Sequence, residues 1–190
     1  PKALLKVAGA PFIHHQLALL SRQGVDRVVL CLGHKGEMIR DFVKDGSAWG
    51  LKAEYSFDGA KLAGTGGALK KALPLLSDPF LVIYGDSYLE MDLAAACKAF
   101  AASRRVGMMT VFQNDGRYDR SNVFFQDGRI VADRKGVDDP RMRHIDHGLG
   151  ELSHQAFGRD RGERFDLADV YSSLVDQGQL KKEDVTMDAI

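Results

Sequence analysis

The apolar residues of this chain recur with two alternating periods. In PFIHHQLALLSRQG, residues 11–24, Phe12, Ile13, Leu17, Leu19 and Leu20 share one helical face with Gln16. Pro11 stands at the first turn and Gly24 at the end, so the spacing predicts a helix there. Val28-Val29-Leu30-Cys31-Leu32 follows as a continuous apolar run closed by Gly33, the pattern of a strand buried on both faces. The alternation continues with a helix over 37–43, a strand over 51–57, a helix over 66–76 and a strand over 80–84. A helix over 92–103 with Asp92 as its N-cap and a strand over 106–112 complete it. Strands alternating with helices of this length predict βαβ units with right-handed crossovers.

After Gln113 the character changes. Residues 121–126 and 129–133 flank Asp127-Gly128, a hairpin turn signal. Residues 144–152 read as a further strand. A helix over 166–177 is capped by Asp166 and closed by Gly178. The pattern therefore predicts an α/β fold, Rossmann-like, with a mostly parallel sheet flanked by helices. An antiparallel hairpin and a small α+β extension occupy its last third. Residues 1–190 read as one domain, with 1–113 as a nucleotide-binding core and 114–190 as an extension.

Composition narrows the class. A chain of 190 residues that is 45% hydrophobic can bury a core, which excludes a disordered or collagen-like protein. Lys and Arg total 26 and Asp and Glu total 26. Zero net charge argues against a nucleic-acid coat but leaves room for a local basic site. No apolar run approaches the roughly 20 residues that span a bilayer, so no membrane partner is expected. Cys31 and Cys97 lie far apart in apolar segments and read as buried free thiols, which suits a reducing cytoplasm.

Three segments could carry chemistry. Tyr84-Gly85-Asp86-Ser87 follows a predicted strand, and ligands of open α/β sheets bind outside the carboxyl ends of strands. Asp86 could there hold Mg²⁺, which takes one or two carboxylates and fills its remaining positions with substrate phosphates and water. Gly85 would let the backbone turn sharply against a ligand. Leu62-Ala63-Gly64-Thr65-Gly66-Gly67-Ala68-Leu69 is a glycine-rich loop entering a helix, where exposed N–H groups could meet an anion. It is not a Walker A loop, because Lys70 and Lys71 fall in the wrong register. In the opening PKALLKVAGAPF, Lys2 could neutralise phosphate as a point charge. Elsewhere, His144-Ile145-Asp146-His147 splits its side chains between two strand faces, which disfavours a metal site. No hydrolase triad or nucleophile elbow is present.

Taken in order, PKALLKVAGAPFI, LAGTGGAL, LVIYGDSYLEMDL, HIDHGLGEL and FDLADVYSSLVDQGQL resemble the motifs of sugar-1-phosphate nucleotidyltransferases. HIDHGLGEL and FDLADVYSSLVDQGQL resemble later elements of a bacterial subgroup similar to heptose- and hexose-phosphate guanylyl- and uridylyltransferases. The resemblance covers nearly the whole chain. It implies attack of a sugar 1-phosphate on the α-phosphorus of an NTP, with loss of pyrophosphate and Mg²⁺ as cofactor. It assigns Lys2 to the phosphates, Gly64, Thr65, Gly66, Gly67 and Gly85 to the nucleotide, and Asp86 to the metal. Lys135, Asp146 and Gly148 fall on the sugar side. Lys6 stands where the family commonly has Pro, and His14 where a carboxylate is frequent. The family's first strand with its triphosphate loop would precede Pro1, and its second metal-binding Asp would follow Ile190. An alternative reading is a non-catalytic nucleotide- or sugar-phosphate-binding domain of the same fold. A redox or NAD-binding domain would need a glycine fingerprint at the first strand, which is not visible.

Overall fold

The structure, a computed structural model, describes residues 1–114, 116–118, 120–126, 129–133, 138–158 and 161–184. The chain forms two compact units that interleave in sequence. The first comprises Pro1–Ser77, Tyr84–Ala94 and Arg161–Phe165. The second comprises Asp78–Ile83, Ala95–Asp160 and Asp166–Ile190.

In the first unit, β1 (Lys6–Val7) and β2 (Ala10–Pro11) pair antiparallel as a small hairpin. Its two-residue turn needs positive φ at both positions, and Ala8 (47°) and Gly9 (87°) supply it. Helix α1 (Phe12–Arg22) follows, then β3 (Arg27–Leu32), α2 (Gly36–Val43) and β4 (Lys52–Phe57). Strands β3 and β4 pair in parallel, from Arg27 opposite Lys52 to Leu32 opposite Phe57, which is the predicted βαβ arrangement. Ile13 and Leu17 of α1 pack with Val43 and Leu51, and Val28, Leu30 and Ile39 close over them. The helical face read from the sequence is thus the face that is buried. Helix α3 (Gly64–Ala72) completes this unit and begins two residues earlier than its apolar pattern predicts.

The second unit holds β5 (Phe80–Ile83), α4 (Leu93–Ser103, whose first two residues belong to the first unit), β6 (Gly107–Gln113), β7 (Val123–Gln126) and β8 (Arg129–Asp133). Strand β9 (Met142–Leu152), α5 (Leu167–Asp176) and β10 (Leu180–Asp184) follow. The expectation of a mostly parallel sheet is not met here. Strand β9 pairs antiparallel with β5, with β6 and with β7. Both Phe80 of β5 and Gly107 of β6 lie opposite Leu152. Hence β5 and β6 share a direction, as a βαβ crossover demands, but β9 is inserted between them. Strand β10, which the sequence reading missed, pairs in parallel with β6. Strands β7 and β8 form the expected antiparallel pair, while Asp127 and Gly128 lie outside the described residues.

The core of this unit is fully enclosed. Met108, Met109, Val111, Leu149, Leu152, Leu167 and Val170 are all buried. Gly107 allows close packing, since a β-carbon there would lie 2.6 Å from Leu174 Cδ1 of α5. Gly150 does the same for Tyr171, whose hydroxyl would lie 2.0 Å from such an atom. Helix α5 opens at the N-cap predicted at Asp166, where the structure adds a capping box with Asp169, and Gly178 after it has φ of 64°.

Candidate functional site

Three of the sequence motifs lie in the first unit. Lys2 opens a short 3₁₀ turn over Lys2–Leu4 and is exposed. The turn closes through Leu4 N–H to Pro1 O at 3.0 Å and Leu5 N–H to Lys2 O at 2.9 Å, so Lys2 sits on an ordered support.

The glycine segment is the first turn of α3 rather than a loop before it. Gly64 has φ of 73°, a backbone state that favours glycine. Asp58 organises the approach: its Oδ2 accepts the Ala63 N–H at 3.0 Å. The amides of Gly66 and Gly67 both donate to Phe165 O, at 3.0 and 3.1 Å, and Phe165 N–H returns a bond to Ala63 O at 3.1 Å. The anion cradle expected of these two amides is therefore not formed, because a chain segment from much later in the sequence takes both donors. Gly67 is also required by packing. A β-carbon there would come within 2.5 Å of Glu163 O. Thr65 is exposed and Gly64 half-buried, while Gly66 and Gly67 are buried.

Under this turn lies Cys31, whose thiol points to Ala68 O at 3.8 Å. Burial, helped by the Asp58 charge, pushes this thiol up to about 11, so it stays protonated at neutral pH. Cys31 and Cys97 are both free and half-buried.

Asp86 lies in a tight turn directly after β5. Ser87 N–H donates to Tyr84 O at 3.1 Å, which makes Gly85 and Asp86 the central pair. Both are exposed, and a β-carbon on Gly85 would meet nothing within 4 Å. The Gln16 side chain of α1 reaches the same turn, with Nε2 donating to Tyr84 O at 3.1 Å and to Ser87 O at 2.7 Å. Gln16 is a site residue that the sequence reading treats only as part of a helix face. The signal was there: one polar residue among the apolar positions of a buried stripe.

Asp86 bears on the metal that the resemblance implies. Among the described residues, no three His, Cys, Asp or Glu side chains gather to cage an ion. One exposed carboxylate on a tight turn fits Mg²⁺ that arrives with substrate phosphates rather than a resident protein cage.

Asp146 and Gly148 lie in the second unit, at an irregular stretch of β9. Met109 lies opposite Gly150 and Val111 opposite Asp146, so β9 bulges between them. Asp146 Oδ1 accepts Gly148 N–H at 2.8 Å, and Gly148 has φ of 99°. The structure thus brings these two together. The neighbouring His147 packs its ring 5.9 Å from Phe112, and burial holds its pKa below the usual range. Lys135 lies outside the described residues.

The nucleotidyl transferase family model matches residues 1–121. Over 139 residues the chain is 37% identical to a D-glycero-alpha-D-manno-heptose 1-phosphate guanylyltransferase from Aneurinibacillus thermoaerophilus, covering 70% of this chain and 57% of the relative. It is 26% identical to a UTP–glucose-1-phosphate uridylyltransferase from a Synechocystis strain, over 94% of this chain and 50% of that one. The crystal structure of HddC from Yersinia pseudotuberculosis complexed with GMP-PN shares the fold, with a TM-score of 0.77 at 22% identity, over 97% of this chain and 81% of that one. The chain spans about half the length of the curated relatives it matches. No helix among the described residues is long and apolar enough to cross a membrane. With the match extending over well more than half its residues, this chain belongs to the nucleotidyl transferase family.

Proposed function

We propose that this chain supplies the nucleotide site of a Mg²⁺-dependent enzyme that joins an NTP to a sugar 1-phosphate. A phosphate oxygen of the sugar bonds to the α-phosphorus, the bond from that phosphorus to the bridging oxygen breaks, and pyrophosphate leaves. Such a reaction asks for positioning and charge neutralisation more than covalent help from the protein. The observation that carries the reading is that one compact unit holds Lys2, the Gly64–Gly67 turn and Asp86, with Lys2, Thr65 and Asp86 exposed.

In this reading the Lys2 ammonium neutralises phosphate charge. Gly64 and Thr65 meet the nucleotide, and Gly66 and Gly67 shape the turn beneath it. Gly85 keeps the Asp86 turn open to phosphates, and Asp86 ligates the ion. Held there by Asp86 together with the substrate phosphates, Mg²⁺ would supply Lewis-acid stabilisation of the developing charge. Residues 114–190 serve the sugar side of the same domain, with Asp146 and Gly148 presented by the β9 bulge and Lys135 on the sugar phosphate. The names of the relatives, which act on glucose 1-phosphate and heptose 1-phosphate, support a sugar phosphate as the acceptor. Two free thiols suit a cytoplasmic enzyme.

The test is pyrophosphate release by the full-length protein across four NTPs and a panel of sugar 1-phosphates. Release that needs both an NTP and a sugar 1-phosphate is expected. Nucleotide binding with no release from any pair would replace this reading by a non-catalytic binding domain.

A further inference from the structure

The Gly85–Asp86 turn has little packing to hold it. Both central residues are exposed, and Gly85 leaves open space around the position of a β-carbon. Its main-chain closure is a hydrogen bond of 3.1 Å from Ser87 to Tyr84. Gln16 adds a clamp from a different element. One amide nitrogen carries two hydrogens, and here they go to the carbonyls at the two ends of the turn, at 3.1 Å to Tyr84 and 2.7 Å to Ser87. The helix behind it is anchored, because Ile13 and Leu17 on either side are 5% and 2% exposed within the apolar cluster. The clamp therefore ties a solvent-facing turn to a rigid core.

We propose that Gln16 is the positioning residue that fixes the Asp86 carboxylate for the metal–nucleotide complex. This rests on the reading of Asp86 as a metal ligand. Gln16 itself touches neither metal nor substrate. The chemistry of the clamp is specific. Glu at this position would bring a carboxylate to two carbonyl oxygens with no hydrogen to share. Leu would keep the apolar packing and remove both donors. Asn would stop one methylene short.

The test uses the full-length protein with Gln16→Leu, Gln16→Glu and Asp86→Asn. Hydrogen exchange at the Gly85, Asp86 and Ser87 amides is measured without metal, and Mn²⁺ affinity is measured in the presence of NTP. In both Gln16 variants, exchange at these amides should rise about tenfold while the amides of β3 and β4 keep their protection. Mn²⁺ affinity should fall about 10- to 100-fold, the usual effect of removing support from a metal ligand. Unchanged exchange in Gln16→Leu overturns the clamp whatever Asp86→Asn does. Faster exchange with undiminished Mn²⁺ affinity, while Asp86→Asn does weaken Mn²⁺, overturns the positioning role. If Asp86→Asn itself leaves Mn²⁺ affinity unchanged, the metal-ligand reading of Asp86 fails, and the positioning role falls with it. Loss of protection throughout β3 and β4 would mark Gln16 as a folding residue and overturn the proposal as well.

Discussion

Thr110 serves Leu149 in place of a strand neighbour's backbone. Its hydroxyl donates to Leu149 O at 2.8 Å and accepts from Leu149 N–H at 3.3 Å, and Thr110 is completely buried. The reason is the bulge: where β9 carries extra residues between Asp146 and Gly150, the β6 main chain loses register and the side chain fills the gap. Thr110→Val keeps the shape but leaves both polar groups of Leu149 without that hydroxyl. A loss of about 1–3 kcal/mol is expected, the cost of a buried polar group that loses its partner. Thr110→Ser should recover most of it. Denaturant unfolding checks the stability, and the KM for sugar 1-phosphate checks whether the bulge presents Asp146 and Gly148. A fully stable Thr110→Val would show that the bulge holds without the hydroxyl.

The glycine turn makes a second, independent demand. Glu163 O would lie 2.5 Å from a β-carbon on Gly67, and backbone cannot swing away as a flexible side chain can. Gly67→Ala must push the 161–165 segment off α3 and strain the bonds from Gly66 and Gly67 to Phe165 O. Overpacking of this kind costs about 1–3 kcal/mol. Nucleotide affinity measured by calorimetry should drop with the thermal midpoint. An unchanged affinity in a destabilised variant would detach the turn from nucleotide binding.

How much of this was legible in the sequence depended on how local each signal was. Helix α1 and strands β3 and β4 follow from periodicity, because the face that Ile13 and Leu17 share is set by 3.6-residue spacing alone. The capping box at Asp166 and Asp169 is equally local. The order of strands in the second sheet was not legible. Strand β9 comes from far along the chain to sit between β5 and β6, and nothing in LVIYG or VGMMTVF announces an antiparallel partner. Strand β10 was missed because Lys181, Lys182, Glu183 and Asp184 show no apolar pattern, and backbone pairing with β6 makes the strand. At the candidate site, Asp86 stands out because a glycine and a carboxylate follow an apolar run. The capture of the Gly66 and Gly67 amides by Phe165 is a long-range event that composition cannot foretell.

Asp86 and Lys2 should separate in a mutational test. Both are exposed, so neither substitution removes core packing. Asp86→Asn preserves shape and removes charge. Turnover in the full-length protein should fall by about 10²-fold or more, in the range seen when a transition-state stabiliser is lost, with added Mg²⁺ restoring part of it. Lys2→Ala should lower the rate and leave the unfolding midpoint within about 0.5 kcal/mol of wild type. Pyrophosphate release against Mg²⁺ concentration checks the first, and thermal unfolding the second. Unchanged kinetics in Asp86→Asn would remove this carboxylate from the mechanism. A large loss of stability with intact specific activity would make Lys2 structural.

The last prediction concerns pH. Glu151 lies on β9, opposite Leu81 and Met108, and is 4% exposed. Its carboxyl receives the Cys97 thiol proton in a hydrogen bond, yet Oε2 has no partner among the described residues. Burial pushes its pKa above the ordinary 4.5, and the Cys97 bond opposes this only in part. The folded protein therefore holds this proton at pH values where the unfolded chain has released it. Stability from this group is fully present below 4.5 and is lost as pH rises through the raised folded pKa. Glu151→Gln keeps the size and cannot ionise, so its stability relative to wild type should improve as pH is raised from below to above 4.5. Denaturant midpoints across that range for both proteins isolate the group, since all other titrations cancel in the difference. Parallel curves would mean that Glu151 ionises in the folded protein as easily as in the unfolded chain, against its burial.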